Sequence, residues 1–193
     1  MILRAGLILM LWVGVAQAQG VTVVVEPNSA GLIEASPEAM VKKLRSGPDA
    51  FLRDAAKLIY GYGTGDGINA AGIDGYVALE RARIRARVMQ AYLGADMDND
   101  GIAGRAEIVT LVAAMAAPKR GAVLFGFEQA DADQNAVLSQ VELRNFAQGV
   151  AMNEMSDEDA LRLQGLMTFD LDGNGFVTMP EVSAAVQAIL DQA

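Results

Sequence analysis

The chain has 193 residues, 52% hydrophobic and 20% charged, which is ordinary for a globular protein and enough for one sizeable core or two small domains. A net charge of −9 offers no basic surplus to displace the counterions of a nucleic acid, so no nucleic-acid partner is expected. With no cysteine and no histidine, disulfides, thiol catalysis and the usual nitrogen ligands of zinc, copper and nickel are excluded. Only oxygen ligands remain, and these favour hard cations.

Residues 1–18 carry Arg4, then the apolar run "AGLILMLWVGVA", then "AQA" with small residues at Ala16 and Ala18. This predicts a signal peptide cut near Ala18, because twelve apolar residues fall short of the roughly 20 that span a bilayer. The mature chain is expected to be exported, periplasmic or secreted, without an integral membrane span. Residues 19–36 form a leader in which "VTVVV" has strand propensity between Gly20 and Pro27. Its readings are a tail or strand packed on the core, or a strand for a partner.

Ser36, Pro37 and Glu38 predict a helix start with a capping hydroxyl, and Gly47–Pro48 ends that helix and begins a second, "PDAFLRDAAKLIY". The glycine-rich "GYGTGDGINAAGIDG" that follows is expected to be a loop. Residues 76–93 predict a helix with Val77, Ile84, Val88 and Tyr92 on one stripe. Arg81, Arg83, Arg85 and Arg87 then fall on its polar faces. A solvated surface explains them, and a surface for an anionic partner is the alternative.

Beyond residue 95 a pattern repeats: "DMDNDGIAGRAE" from Asp96, "DADQNAVLSQVE" from Asp131 and "DLDGNGFVTMPE" from Asp170. Each follows an apolar stretch and precedes another of helical spacing. Carboxylates this close repel one another unless a cation lies between them. A calcium ion takes six to eight oxygens, which a tight loop can deliver from positions 1, 3 and 5, a backbone carbonyl at 7 and a bidentate glutamate at 12, with a sharp turn at 6.

On these residues the chain resembles the EF-hand family, specifically its four-hand, calmodulin-like or calerythrin-like members. The resemblance covers about residues 48–193. Carried over by position, it implies metal ligands Asp96, Asp98, Asp100, the Ile102 carbonyl and Glu107 in the first loop, with Gly101 at the turn. In the last loop the ligands are Asp170, Asp172, Asn174, the Phe176 carbonyl and Glu181, with Gly175 at the turn. Both loops match the family pattern in full. The middle loop supplies Asp131, Asp133, Asn135, the Val137 carbonyl and Glu142 but has Ala136 at the turn, where a positive φ costs alanine roughly 1 kcal/mol or more.

Family hands pair through position 8. Leu138 and Val177 suit that role better than Ala103, so those two are expected to pair. The 96–107 loop is then expected to pair with the region 61–74, read as a degenerate hand with Gly67 at position 6, Tyr62 at position 1 and Ile73 at position 12. The implied fold is all-α: tandem helix–loop–helix hands in two lobes with short β-ribbons between paired loops. The lobes are placed at residues 37–117 and 118–193, divided near Ala117–Gly121.

The implied function is calcium binding, with about three ions. An exported sensor or buffer is expected, in which a protein partner docks in an apolar groove. The alternative is a structural or adaptor module that stays calcium-loaded. No enzyme is expected: the serines lack a histidine, no free carboxylates form an obvious pair, and "GTGDG" is followed by no lysine.

Overall fold

The structure is a computed structural model that describes residues 31–192 except 33 and 35. The expected signal peptide, with its tryptophan, and the "VTVVV" segment lie outside the described residues. Within them the chain is mostly helical, with eight α-helices and one small two-stranded sheet.

Helix α1 (Glu38–Ser46) and helix α2 (Pro48–Tyr62) meet at Gly47 as expected. Ser36, however, does not cap α1. It is buried, and its hydroxyl bonds to Thr168 Oγ1 at 3.0 Å, which ties the start of the described chain to a distant turn. In that contact Pro37 packs on Gly165 so closely that a Cβ on the glycine would lie 2.7 Å from the proline ring. Met40, Val41 and Leu44 of α1 and Phe51, Ala55, Leu58 and Ile59 of α2 are buried at helical spacing.

Helix α3 (Ala70–Leu93) begins earlier than the sequence suggests. The glycine-rich stretch keeps only residues 63–69 as loop, because Asn69 accepts a bond from the Gly72 amide and caps a helix that runs through Gly72 and Gly75. Ile73, Val77, Ile84 and Tyr92 form its buried stripe. Then come β1 (Ala103–Gly104), α4 (Arg105–Val112), α5 (Ala117–Ala130), β2 (Val137–Leu138) and α6 (Gln140–Glu154). Helix α7 (Asp157–Gln164), a 3-10 turn (Gly165–Phe169) and α8 (Met179–Leu190) complete the chain.

Two hydrophobic clusters result. One gathers α1, α2, Ile68, Ile73, the 3-10 turn, Val177 and α8, with the Phe51 and Phe169 rings edge to face at 6.0 Å. The other gathers Tyr92, Ala95, Ala103, Ile108, Val112, Phe127, Ala130, Leu138 and Leu143. The first cluster therefore takes both ends of the described chain and the second takes the middle. Residues of α3, α4, α5 and α6 share the second core across Ala117–Gly121, where the sequence suggests a divide.

The strand pairing has the same nested order. Ala103 pairs with Leu138 and Gly104 with Val137, antiparallel, while Ile68 bridges Val177. Leu138 and Val177 do not pair with each other, and the 96–107 loop does not pair with the region 61–74. The small side chain of Ala103 is no obstacle: it is buried against the second cluster, where Ile108, Phe127 and Leu138 fill the space.

The arginines of α3 bond to the protein itself, Arg81 largely covered and Arg83 and Arg87 on the exposed surface. Arg81 donates from Nε to the Met155 carbonyl at 2.9 Å and pairs with Asp157 at 2.8 Å. Arg85 donates to Gln148 at 3.2 Å and Arg87 to Glu154 at 2.7 Å. Arg83 pairs with Glu80 on its own helix. Three of the four thus fasten α3 to α6 and α7. Among the described residues no helix is long and apolar enough to cross a membrane.

Candidate metal centres

The three acidic loops fold alike, and the reason is local. In each, the first aspartate accepts two backbone amides from the chain curling around it. Asp96 takes those of Asp100 and Gly101 at 3.1 and 3.0 Å, Asp131 those of Asn135 and Ala136 at 3.1 and 2.9 Å, and Asp170 those of Asn174 and Gly175 at 3.1 and 2.8 Å. The third residue adds an oxygen to the same fifth-position amide, from Asp98, Asp133 and Asp172. The side chain at position 5, Asp100, Asn135 or Asn174, then accepts the amide of Ile102, Val137 or Phe176 at 2.7–2.8 Å.

Such curling demands left-handed backbone at two places per loop. Gly101, Ala136 and Gly175 have φ of 83°, 64° and 84°, so the expected strain at Ala136 is present. The residues two before them share it: Asn99 at 60°, Gln134 at 59° and Gly173 at 72°. The sequence reading missed these. Asparagine and glycine are common in that region of backbone space, but glutamine gives no such signal.

The glutamate that ends each loop closes it. Glu107 accepts the amides of Met97 and Gly104, each at 2.8 Å. Glu142 accepts those of Ala132 and Ser139 at 3.0 Å, and Glu181 those of Leu171 and Thr178 at 2.9 Å. Ser139 and Thr178 also donate their hydroxyls to the same glutamates at 2.7 Å and cap α6 and α8. Gly104 has no side chain with which to do so. Hydrogen bonds from Gly104 and then Met97 hold the Glu107 carboxyl below its ordinary range, and the Ser139 hydroxyl and amide do the same for Glu142.

As a result three carboxylate groups form: Asp96, Asp98 and Glu107; Asp131, Asp133 and Glu142; and Asp170, Asp172 and Glu181. In each group ligand oxygens lie within 4.8 Å of one another and could hold a metal ion. Of these nine, Asp131 alone is buried. Asp100 is not gathered into the first group; its Oδ1 turns to the Ile102 amide. Asn135 and Asn174 each donate from Nδ2 to the preceding aspartate, at 2.9 and 3.0 Å. Ile102, Val137 and Phe176 follow position 5 on the way into the strand or bridge.

The region 61–74 has a different geometry from the one expected. Asn69 caps α3 as Ser139 and Thr178 cap α6 and α8, so the closing position falls on Gly72 rather than Ile73, and Tyr62 is the last residue of α2. Seven residues separate the helices here, against nine at 131–139 and 170–178. Asp66 is exposed, and Asp74 accepts from Gln164 at 2.7 Å. No acidic group forms in this region.

Oxygen donors alone, arranged in tight loops rich in ordered amides, fit a hard cation and suit neither soft nor nitrogen-preferring metals. A cleft of about 640 Å³ elsewhere mixes apolar residues such as Met40, Phe51 and Met155 with charged ones such as Lys43, Glu80 and Arg162, and none of the residues of the three acidic loops lines it. No protein-family model, curated protein or solved structure matches the chain.

Proposed function

We propose that the chain is an EF-hand protein that binds calcium through the loops 96–107, 131–142 and 170–181, about three ions in all, and serves as an exported calcium sensor or buffer. The observation that carries this reading is the convergence of three carboxylate groups, each with oxygens within 4.8 Å. Two oxygens on opposite sides of one calcium ion are about 4.6–5.2 Å apart, twice the usual calcium–oxygen distance. The ligands assigned are Asp96, Asp98, Asp100, the Ile102 carbonyl and Glu107; Asp131, Asp133, Asn135, the Val137 carbonyl and Glu142; and Asp170, Asp172, Asn174, the Phe176 carbonyl and Glu181. Bound calcium would neutralise carboxylates that otherwise repel. No catalytic role is assigned.

A sensor needs a surface for a protein partner, and this reading gives that role to the cleft at Met40, Phe51 and Met155, whose lining also carries Lys43, Asp54, Glu80 and Arg162. A second reading, a structural or adaptor module that stays loaded, is favoured by the burial of Ile68, Ala103, Leu138 and Val177. The loops are thereby parts of the cores, and their order is coupled to folding.

Calorimetric titration of calcium into the chelator-stripped chain, residues 19–193, with circular dichroism alongside, tests both. About three sites on a chain already folded support the sensor or buffer. A chain that folds only when loaded supports the structural module. Absence of any heat or spectral change ends the calcium reading.

A further inference from the structure

We infer that Gly67 and Ile68 are positioning residues for the last metal site, holding Val177 and Thr178 where the 170–181 loop needs them. This rests on the reading of that loop as a cation site. Ile68 and Val177 exchange both backbone bonds, Ile68 N to Val177 O at 2.9 Å and Val177 N to Ile68 O at 2.7 Å, and both side chains are fully buried. Val177 lies between Phe176, whose carbonyl is an assigned ligand, and Thr178, whose hydroxyl bonds to Glu181. A single bridge thus fixes the limb that carries one assigned ligand, the Phe176 carbonyl, and the hydroxyl that holds a second, Glu181.

Gly67 makes that bridge possible. Its φ is 116°, and a Cβ there would lie 2.6 Å from the Val177 carbonyl oxygen, 3.0 Å from the Val177 carbonyl carbon and 3.2 Å from Thr178 Cγ2. Backbone cannot yield cheaply at such distances, so a side chain at 67 pushes directly on the residues that orient Glu181. In the other pair both loops carry carboxylates. Here the supporting loop carries none at its closing position, Gly72, so its contribution to the last site is geometric.

The amides of Gly101, Ala136 and Gly175 each donate to the first aspartate of one loop. A cation on that aspartate changes the bond, so each amide reports one site in a proton–nitrogen NMR spectrum. Calcium titrations of the full chain would compare the wild type, Gly67→Ala and Gly65→Ala, the last at a glycine with nothing within 4 Å of an added Cβ. The expected result is about tenfold weaker binding at the Gly175 site in Gly67→Ala, with the other two sites within about twofold and Gly65→Ala unchanged. Equal losses at all three sites, or none, would overturn the inference. If Gly67→Ala does not fold, Ile68→Val carries the same test, since it trims one methylene and leaves the backbone bonds intact. A smaller loss confined to Gly175 supports positioning, and a uniform or absent loss refutes it. If no amide of the wild type responds to calcium, the site reading itself fails; a wild-type response with an unaltered variant sinks only the positioning role.

Discussion

The Ala136 amide donates to Asp131 Oδ2 at 2.9 Å from a backbone held at φ 64°, so the middle loop keeps its central hydrogen bond in a conformation alanine resists. Left-handed backbone costs an L-residue about 1–2 kcal/mol that glycine avoids. Ala136→Gly should therefore raise the calcium affinity of the 131–142 loop about five- to tenfold. The gain in stability of the metal-free chain should be smaller, because glycine also frees the unfolded chain. Titration of the variant beside the wild type decides the matter, and unchanged affinity would mean that the free and the loaded loop carry the same strain.

Glu181 receives the amides of Leu171 and Thr178 and the Thr178 hydroxyl. Glutamine in its place keeps one acceptor oxygen and loses the charge and the second oxygen. Glu181→Gln should weaken the last site on the order of tenfold or more while the helix start survives. Calorimetry should then resolve one site fewer in the tight range, with helical content within error of the wild type.

Acid should loosen the metal-free loops in a predictable sense. Amides of Gly104 and Met97 depress the Glu107 carboxyl, and Ser139 depresses that of Glu142, below the ordinary 4.5. A depressed folded value means the stabilisation is complete above the unfolded value and is lost as pH falls through the folded one. Urea unfolding of the chelator-treated chain should give stability that is level above about pH 5 and declines below it. Glu142→Gln should flatten part of that decline. A stability that rises on acidification would contradict the sign.

Arg81 is the arginine of α3 with the most at stake, since its side chain is only 19% exposed and it serves both the Met155 carbonyl and Asp157. Arg81→Ala should cost about 1–2 kcal/mol, because a carbonyl at the end of α6 loses a charged donor. Glu128→Ala, which breaks an open surface pair with Arg105, should cost within about 0.5 kcal/mol. Denaturant midpoints of the two variants test the ranking, and equal losses would show that the α3–α6 seam does not depend on this contact.

The carboxylate groups could be read from the chain because their spacing is a local property: a carboxylate at positions 1 and 3 and a glutamate at position 12 meet once the backbone curls. The helix start at Pro48 was legible for the same reason. The partner of each loop was not. A rule that ranks position-8 residues by bulk favours Leu138 with Val177, yet pairing is set by which cores the flanking helices join, a relation across the whole chain. Ser36 likewise looks like a cap by its neighbours and is taken by Thr168, distant in sequence and adjacent in space. The use of Arg81, Arg85 and Arg87 depended on α6 and α7 lying alongside α3, which no window of sequence contains.

The nested arrangement of the two cores sets a timetable. The inner one is complete in residues 88–146 and can assemble as soon as that stretch has been synthesised. The outer one joins Leu44 to Ile189 and has to wait for the final helix. A chain that stops before Met179 would lose Val182, Ala185, Val186 and Ile189 from one core and keep the other whole, so premature termination should leave a compact middle beside helices α1 and α2 with an uncovered apolar face.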